Sequence, residues 1–301
     1  MPAPDTASTP AARKPREDEI DAHGLTHPGK VRRDNQDHFL LGSLRKQLVL
    51  RLTSIPDHDL LADTERLASL AMVADGVGGA ARGETASRVA LAAATQYVSR
   101  SLRCYYGASD DDDQQFYDAL REGARQCHAE LLRRGEEDPE YQGMATTLTL
   151  YLGVWPRAYL LQVGDSRCYL LRDGELTQIT RDQTMAQEMV DLGVMKPEEV
   201  AGTRLAHTLT SSIGGRQTDP RVTRFDMNWG YVLLLCSDGL TRHVSDDRIG
   251  DVLRSMTSAR QACETLLQEA LDGGGSDNVT VVVGRAVQRE AGQRGSGAAG
   301  Q

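Results

Sequence analysis

Ala71-Met72-Val73-Ala74-Asp75-Gly76-Val77-Gly78-Gly79 is the stretch on which the reading of this chain turns. An apolar run with the composition of a buried strand breaks off at an aspartate, and three of the next four residues are glycine. Far downstream, Val232-Leu233-Leu234-Leu235-Cys236-Ser237-Asp238-Gly239 repeats the design. A third acid, in Ser276-Asp277-Asn278, leads into the apolar Val279-Thr280-Val281-Val282-Val283. Strands that break at Asp-Gly or Asp-Asn put carboxylates at the rim of a sheet, where oxygen ligands suit a hard cation. Any one of these dipeptides is also an ordinary turn signal. Three of them on apolar strands suggest a shared metal site.

The surrounding composition fits a soluble catalyst or binder better than a nucleic-acid protein. With 301 residues the chain can bury a substantial core. Its 43 acidic against 34 basic side chains give a formal charge of −9, and non-specific nucleic-acid binding needs a basic face. Cys104, Cys127, Cys168, Cys236 and Cys263 are dispersed and odd in number, which fits a reducing cytosol better than a disulfide framework. Cys168 and Cys236 lie in apolar runs and read as small core residues. No apolar run approaches a membrane span, and the first residues lack the pattern of a signal peptide, so the expected location is the cytoplasm.

Residues 1–19 read as a disordered lead-in and residues 287–301 as a disordered tail, leaving one domain over 20–286. A first strand is expected at 20–26, then an irregular insertion at 43–67. Helical spacing follows at 84–102 and at 116–132, with Asp110 to Asp113 read as the N-terminal cap of the second helix. From Met144 the pattern alternates: strands at 146–152, 158–163, 167–172 and 176–179, the last two joined by the hairpin signal Asp173-Gly174. A helical pair is expected over 183–205 and a polar connector at 208–215. Strands follow at 221–227 and 231–236, helices at 245–256 and 258–271, and a last strand at 279–285. Helices in an early and a late cluster, separated by closely spaced strands, specify an α+β fold: an α-β-β-α sandwich of two antiparallel sheets flanked by helices.

If the acids converge, their repulsion limits what they can be for. Two carboxylates about 4–5 Å apart repel by roughly 3–4 kcal/mol at an effective dielectric of 20. Several together require protons or cations, and an oxygen-only set without His or Cys selects Mg²⁺ or Mn²⁺ over zinc.

The order and spacing of six motifs sharpen this reading. Arg32-x-x-Asn35-Gln36-Asp37, Ala74-Asp75-Gly76-Val77-Gly78-Gly79, Gly143-Met144-Ala145-Thr146-Thr147, Val163-Gly164-Asp165-Ser166-Arg167, Ser237-Asp238-Gly239-Leu240 and Ser276-Asp277-Asn278-Val279-Thr280 follow one another. Together they resemble the bacterial branch of the metal-dependent Ser/Thr protein phosphatases, the type 2C or PPM family, over about residues 20–285. The resemblance implies a protein-serine/threonine phosphatase acting on phosphorylated proteins. A metal-activated water in a binuclear Mn²⁺ or Mg²⁺ centre would attack the phosphate, and the enzyme would oppose a bacterial Ser/Thr kinase. It implies that Asp75 bridges two ions, that the Gly76 carbonyl reaches one of them, and that Asp238 and Asp277 are further ligands. Asp165 with Asp238 resembles the pair that holds a third, weaker ion. Arg32 matches the arginine that grips the substrate phosphate, where a planar fork suits phosphate oxygens. Asp37 and Asn278 match residues that orient the ligands from behind.

Phosphate monoester hydrolysis needs up to ~10²¹-fold acceleration, which a two-metal site supplies without a covalent phosphoenzyme. Cys236 and Ser237 are therefore read as strand residues and not nucleophiles. Val77 stands where some eukaryotic members carry a histidine proposed as the leaving-group acid. His27, His38 and His207 are read as structural or surface residues. The stretch 182–205 corresponds to the variable flap, with Met185, Met189 and Met195 expected to pack within it. The competing reading is a non-catalytic phospho-sensing or partner-binding module on the same fold. Retention of Arg32 and the acid set disfavours it.

Overall fold

Inward-facing residues at one end of two stacked sheets organise this molecule. A computed structural model describes residues 13–47, 64–100, 113–200 and 203–288. One sheet contains β1 (Ile20–His27), β7 (Arg167–Arg172), β8 (Glu175–Gln178), β10 (Val232–Cys236) and β11 (Val279–Ala286), in the order β1-β11-β10-β7-β8. The other contains β2 (Asp37–Gln47), β3 (Thr64–Val77), β5 (Leu148–Val154), β6 (Arg157–Val163) and β9 (Arg221–Asp226) in that order, with the two-residue β4 (Ala145–Thr146) paired to β3. The named pairings are antiparallel. Helices α1 (Ala80–Arg100) and α2 (Asp113–Glu137) cover the second sheet. Helices α5 (Asp246–Ser255) and α6 (Ala259–Asp272) cover the first. This is the expected α-β-β-α sandwich.

The two-residue period of a strand accounts for the three apolar layers. On β3, Leu70, Met72 and Ala74 pack under α1 and α2, whereas Ala71 and Val73 face the other sheet. On β10, Val232, Leu234 and Cys236 pack under α5 and α6, while Leu233 and Leu235 face inward. On β11, Val279, Val281 and Val283 face the helices and Val282 faces inward. Continuing the alternation by two residues puts Asp75 on the inner face of β3, and Asp37 joins Phe39 on the inner face of β2. Burial of each large aliphatic or aromatic side chain contributes about 1.5–3 kcal/mol, so the inner layer fixes these registers.

Several boundaries differ from the expected ones. Residues 43–47 and 64–67, read as part of an irregular insertion, extend β2 and β3; the rest of that insertion lies outside the described residues. Residues 13–19, read as lead-in, are tied down: buried Glu19 accepts bonds from both terminal nitrogens of Arg13 at 2.6 and 2.5 Å and from the Arg16 amide at 2.8 Å. Asp110–Asp112 lie outside the described residues. Asp113 stands in the first turn of α2, where it accepts from Tyr159 Oη and Arg224 Nη1, each at 2.6 Å. Its carboxylate thus ties the helix to the sheet beneath it. The helical pair of 183–205 is one short helix, α3 (Met185–Asp191), and two 3₁₀ turns at Pro197–Glu199 and Arg204–His207. Met185 is exposed and Met189 and Met195 are only partly buried, so these side chains do not form a flap core.

Candidate metal centre

Five chain segments meet at one end of the sandwich. Asp37 and Asp75 are direct cross-strand partners on β2 and β3. Asp165 occupies the turn between β6 and β7, Asp238 opens the single-turn helix α4 (Asp238–Thr241), and Asp277 sits two residues before β11. An apolar cavity of about 450 Å³ lies at the opposite end, lined by Leu41, Tyr151, Trp155 and Leu233, and takes no part in this arrangement.

The backbone around these acids is held by the other residues of their motifs. The Asp75 carbonyl accepts from Thr146 Oγ1 and from the Thr147 amide, each at 2.9 Å, while its own amide donates to Thr147 Oγ1 at 2.9 Å. Thr147 in turn meets Ser166 Oγ at 2.8 Å, which links the Asp75 and Asp165 turns. Gly76 permits a close approach: a Cβ there would lie 2.2 Å from the carbonyl oxygen of Gly83 in α1. Gly239 does the same, since its Cβ would lie 1.9 Å from the Asn278 carbonyl oxygen. Only glycine lets the Asp238 and Asp277 turns pack together at that distance.

Asp37 is buried, and its Oδ2 accepts from Ser237 Oγ at 2.6 Å and Thr280 Oγ1 at 2.8 Å. Among the described residues its Oδ1 has no hydrogen-bond partner. Burial pushes its pKa up to about 6 against the pull of the two hydroxyls, with the charge of Asp238 adding to the rise. Asp75 is pushed well above the carboxylate range by burial and then by the charges of Asp37, Asp238, Asp165 and Asp277. Asp165 is raised by burial and by Asp238 and Asp182. Asp238 moves the other way: burial would raise it, but His207 and Arg242 outweigh that and hold it low.

Two guanidiniums balance part of this charge. Arg32, on the loop after β1, forks onto Asp277, with Nη2 3.0 Å from Oδ2 and Nε 2.9 Å from Oδ1. Arg242, one turn beyond Asp238, donates Nε to Asp238 Oδ2 at 3.0 Å and bonds the same oxygen through Nη2. Asn278 pins the Arg32 loop: its Nδ2 donates to the Pro28 and Asp34 carbonyls at 2.9 Å, and its Oδ1 accepts from the Gln36 amide at 2.9 Å. So Asn278 works on the loop that carries Arg32 and Asp37.

The structure therefore brings Arg32, Asp37, Asp75, Gly76, Asp165, Asp238, Asp277 and Asn278 to one rim. As placed, no three His, Cys, Asp or Glu side chains among the described residues close into a metal-binding group. The donor chemistry nevertheless fits hard divalent cations: all oxygen, mutually repelling, with one buried carboxylate oxygen unpaired. Cys236 is excluded as a nucleophile, because burial pushes its thiol up to about 12. The Ser237 hydroxyl is committed to Asp37 and to the Thr280 amide at 2.9 Å. Val77 is exposed at the rim.

Two residues join the site beyond the expected set: Arg242, which was not singled out, and His207, which was read as structural or surface. Arg242 has a sequence signal in its four-residue spacing from Asp238, which stacks them on a helical turn. His207, whose Nδ1 lies 3.7 Å from Asp238 Oδ2, reaches the site from the flap by a tertiary contact that no local pattern announces. His38, bonded to Ser87 Oγ at 2.9 Å, and His27, which accepts from the Gly29 amide at 2.9 Å, are structural as expected.

An α-β-β-α sandwich with this carboxylate rim defines a metal-dependent phosphatase scaffold. The chain belongs to the protein phosphatase 2C family, whose model matches residues 53–273. The chain is 38% identical over 257 residues to the serine/threonine protein phosphatase PstP of Mycobacterium tuberculosis, covering 83% of this chain and 47% of that protein. It thus spans about half the length of that relative. It is 28% identical over 229 residues to the serine/threonine phosphatase stp of Listeria monocytogenes, covering 75% and 86% of the two chains. A crystal structure of the M. tuberculosis phosphatase superposes with a TM-score of 0.72 at 32% identity, over 89% of this chain and 99% of the other. A crystal structure of the catalytic domain of a serine/threonine protein phosphatase PstP in complex with two manganese ions gives 0.69 at 33% identity, over 89% and 99%.

Proposed function

We propose that this chain hydrolyses phosphoserine and phosphothreonine in proteins, using two Mn²⁺ or Mg²⁺ ions held by Asp75, the Gly76 carbonyl, Asp238 and Asp277. The observation that carries this reading is the charge convergence at one rim. Asp75 is raised by burial and by four other carboxylates, a state that divalent cations relieve. The manganese-bound relative supports the choice of ion. When bound, the ions neutralise phosphate charge and activate the attacking water.

The chain's own residues supply the rest. Arg32 is half-exposed on a loop held by Asn278, and its fork is free to exchange Asp277 for phosphate oxygens once Asp277 serves a cation. Asp37, fixed by Ser237 and Thr280, holds the inner wall behind Asp75 and orients it. The flap positions His207 beside Asp238, on the solvent side of the acids. The partners are phosphorylated proteins and a Ser/Thr kinase with its targets. The buried free thiols of Cys127, Cys168, Cys236 and Cys263 suit work in the reducing cytoplasm. No helix among the described residues is long and apolar enough to cross a membrane.

Release of phosphate from a phosphothreonine peptide, with MnCl₂ and with excess chelator, tests the reading. Metal-dependent turnover is expected. A folded chain that shows none would remove the enzyme from consideration.

A further inference from the structure

The family resemblance implies a third, weaker ion between Asp165 and Asp238, but the structure sets a cation of the chain's own on Asp238, one member of that pair. The Arg242 guanidinium bonds Asp238 Oδ2 through Nε at 3.0 Å and through Nη2. The same Nη2 stands 3.5 Å from Asp277 Oδ2. On the other side, His207 Nδ1 approaches the same Asp238 oxygen at 3.7 Å. Asp165, buried near Asp238, also feels the Arg242 charge.

Arg242 cannot withdraw as Arg32 can. Its backbone amide donates to the Asp238 carbonyl at 3.0 Å, so the two side chains rise from one helical turn. Its side chain is about 26% exposed, against 52% for Arg32. A guanidinium keeps its charge at every accessible pH and forks onto carboxylate oxygens. A metal ion between Asp165 and Asp238 would have to displace that fork or sit beside a fixed positive charge. The contacts from Arg242 and His207 all fall on Oδ2 of Asp238, the one oxygen of this carboxylate that both basic side chains approach. Arg242 thus already holds the Asp238 oxygen on which it forks, and its charge stands where a further cation on that carboxylate would add to it.

We propose that Arg242 is a positioning residue that serves as the resident cation on Asp238, so that this chain takes up two divalent ions and no third. The inference rests on the metal-centre reading above, and counting bound metal separates the two. The whole chain is dialysed against MnCl₂, at micromolar and then millimolar concentration, and its manganese content is measured. The wild type is expected to saturate at two ions per chain. Arg242→Gln and Arg242→Asp should bind a third at millimolar metal, while Arg242→Lys, which keeps the charge, should stay at two. Three ions in the wild type, or two in a folded Arg242→Asp variant, would overturn the role of Arg242. No bound ion in the wild type would overturn the metal centre itself, and this inference with it. Should the variants fail to fold, the wild-type count alone decides: two supports the proposal and three overturns it.

Discussion

Asp238 sits between two demands, an acid cluster that repels it and two basic side chains that hold it ionised. Replacing it by asparagine removes a metal-ligand charge without removing core volume. Asp238→Asn should therefore lower kcat at saturating Mn²⁺ by about 100-fold or more and leave cooperative unfolding intact. Activity near the wild-type level would break the assignment of that rim. Arg32 makes a different prediction. Arg32→Ala should raise KM for a phosphopeptide by about 10-fold or more, since a lost charged hydrogen bond costs about 1.5–3 kcal/mol. A pure loss in kcat would contradict its role in binding phosphate. At this scale the acids were legible in the sequence, because each closes an apolar strand or opens one and the six motifs stand in a recognisable order. Arg242 was not singled out and His207 was read as a structural or surface residue, because the meaning of both lies in what they face. The same holds for Asp113, whose partners Tyr159 and Arg224 come from strands far along the chain.

At the scale of elements, the site depends on turns packed closer than a side chain allows. Gly239→Ala would drive a Cβ to 1.9 Å from the Asn278 carbonyl oxygen, a backbone atom in the turn that carries Asp277. It should cost about 2 kcal/mol or more in urea unfolding and weaken Mn²⁺ binding. Gly42→Ala is the control: at this exposed position of β2 its Cβ meets only Leu40 Cδ2 at 3.8 Å, and a change within about 0.5 kcal/mol is expected. Equal effects would show that close turn packing does not support the site. The strands and the long helices were readable because periodic apolar faces generate them. The flap was not, because its short turns rest on local caps such as Thr184 and Thr203, which accept from the amides of Gln187 and Ala206 at 3.3 Å. The extent of β2 and β3 was underestimated because Ser43 to Gln47 and Thr64 to Arg66 are mostly polar in sequence and carry no run of alternating apolar residues, although their backbones pair in register.

At the scale of the whole molecule, the gathered acids make stability depend on metal and on pH. The folded pKa values of Asp37, Asp75 and Asp165 lie above the unfolded carboxylate range near 4. The metal-free native state therefore binds more protons than the unfolded chain. These acids consequently destabilise the metal-free fold progressively as pH rises from about 4, through about 6 for Asp37 and beyond for the others. Bound Mn²⁺ removes that penalty. The Tm difference between Mn²⁺-loaded and chelator-treated protein should widen from pH 5 to pH 8. His38 and His128, lowered chiefly by burial, shift both curves in the same direction and leave the difference to the acids. A difference that narrows with rising pH would contradict the picture.

The central claim is that separate strand ends, far apart in sequence, form one metal centre. Manganese anomalous scattering from a crystal grown with MnCl₂ measures this directly. Two peaks are expected at the rim, sharing Asp75 and bounded by Asp238 and Asp277. No peak there, or peaks that leave Asp75 without an ion, would contradict it.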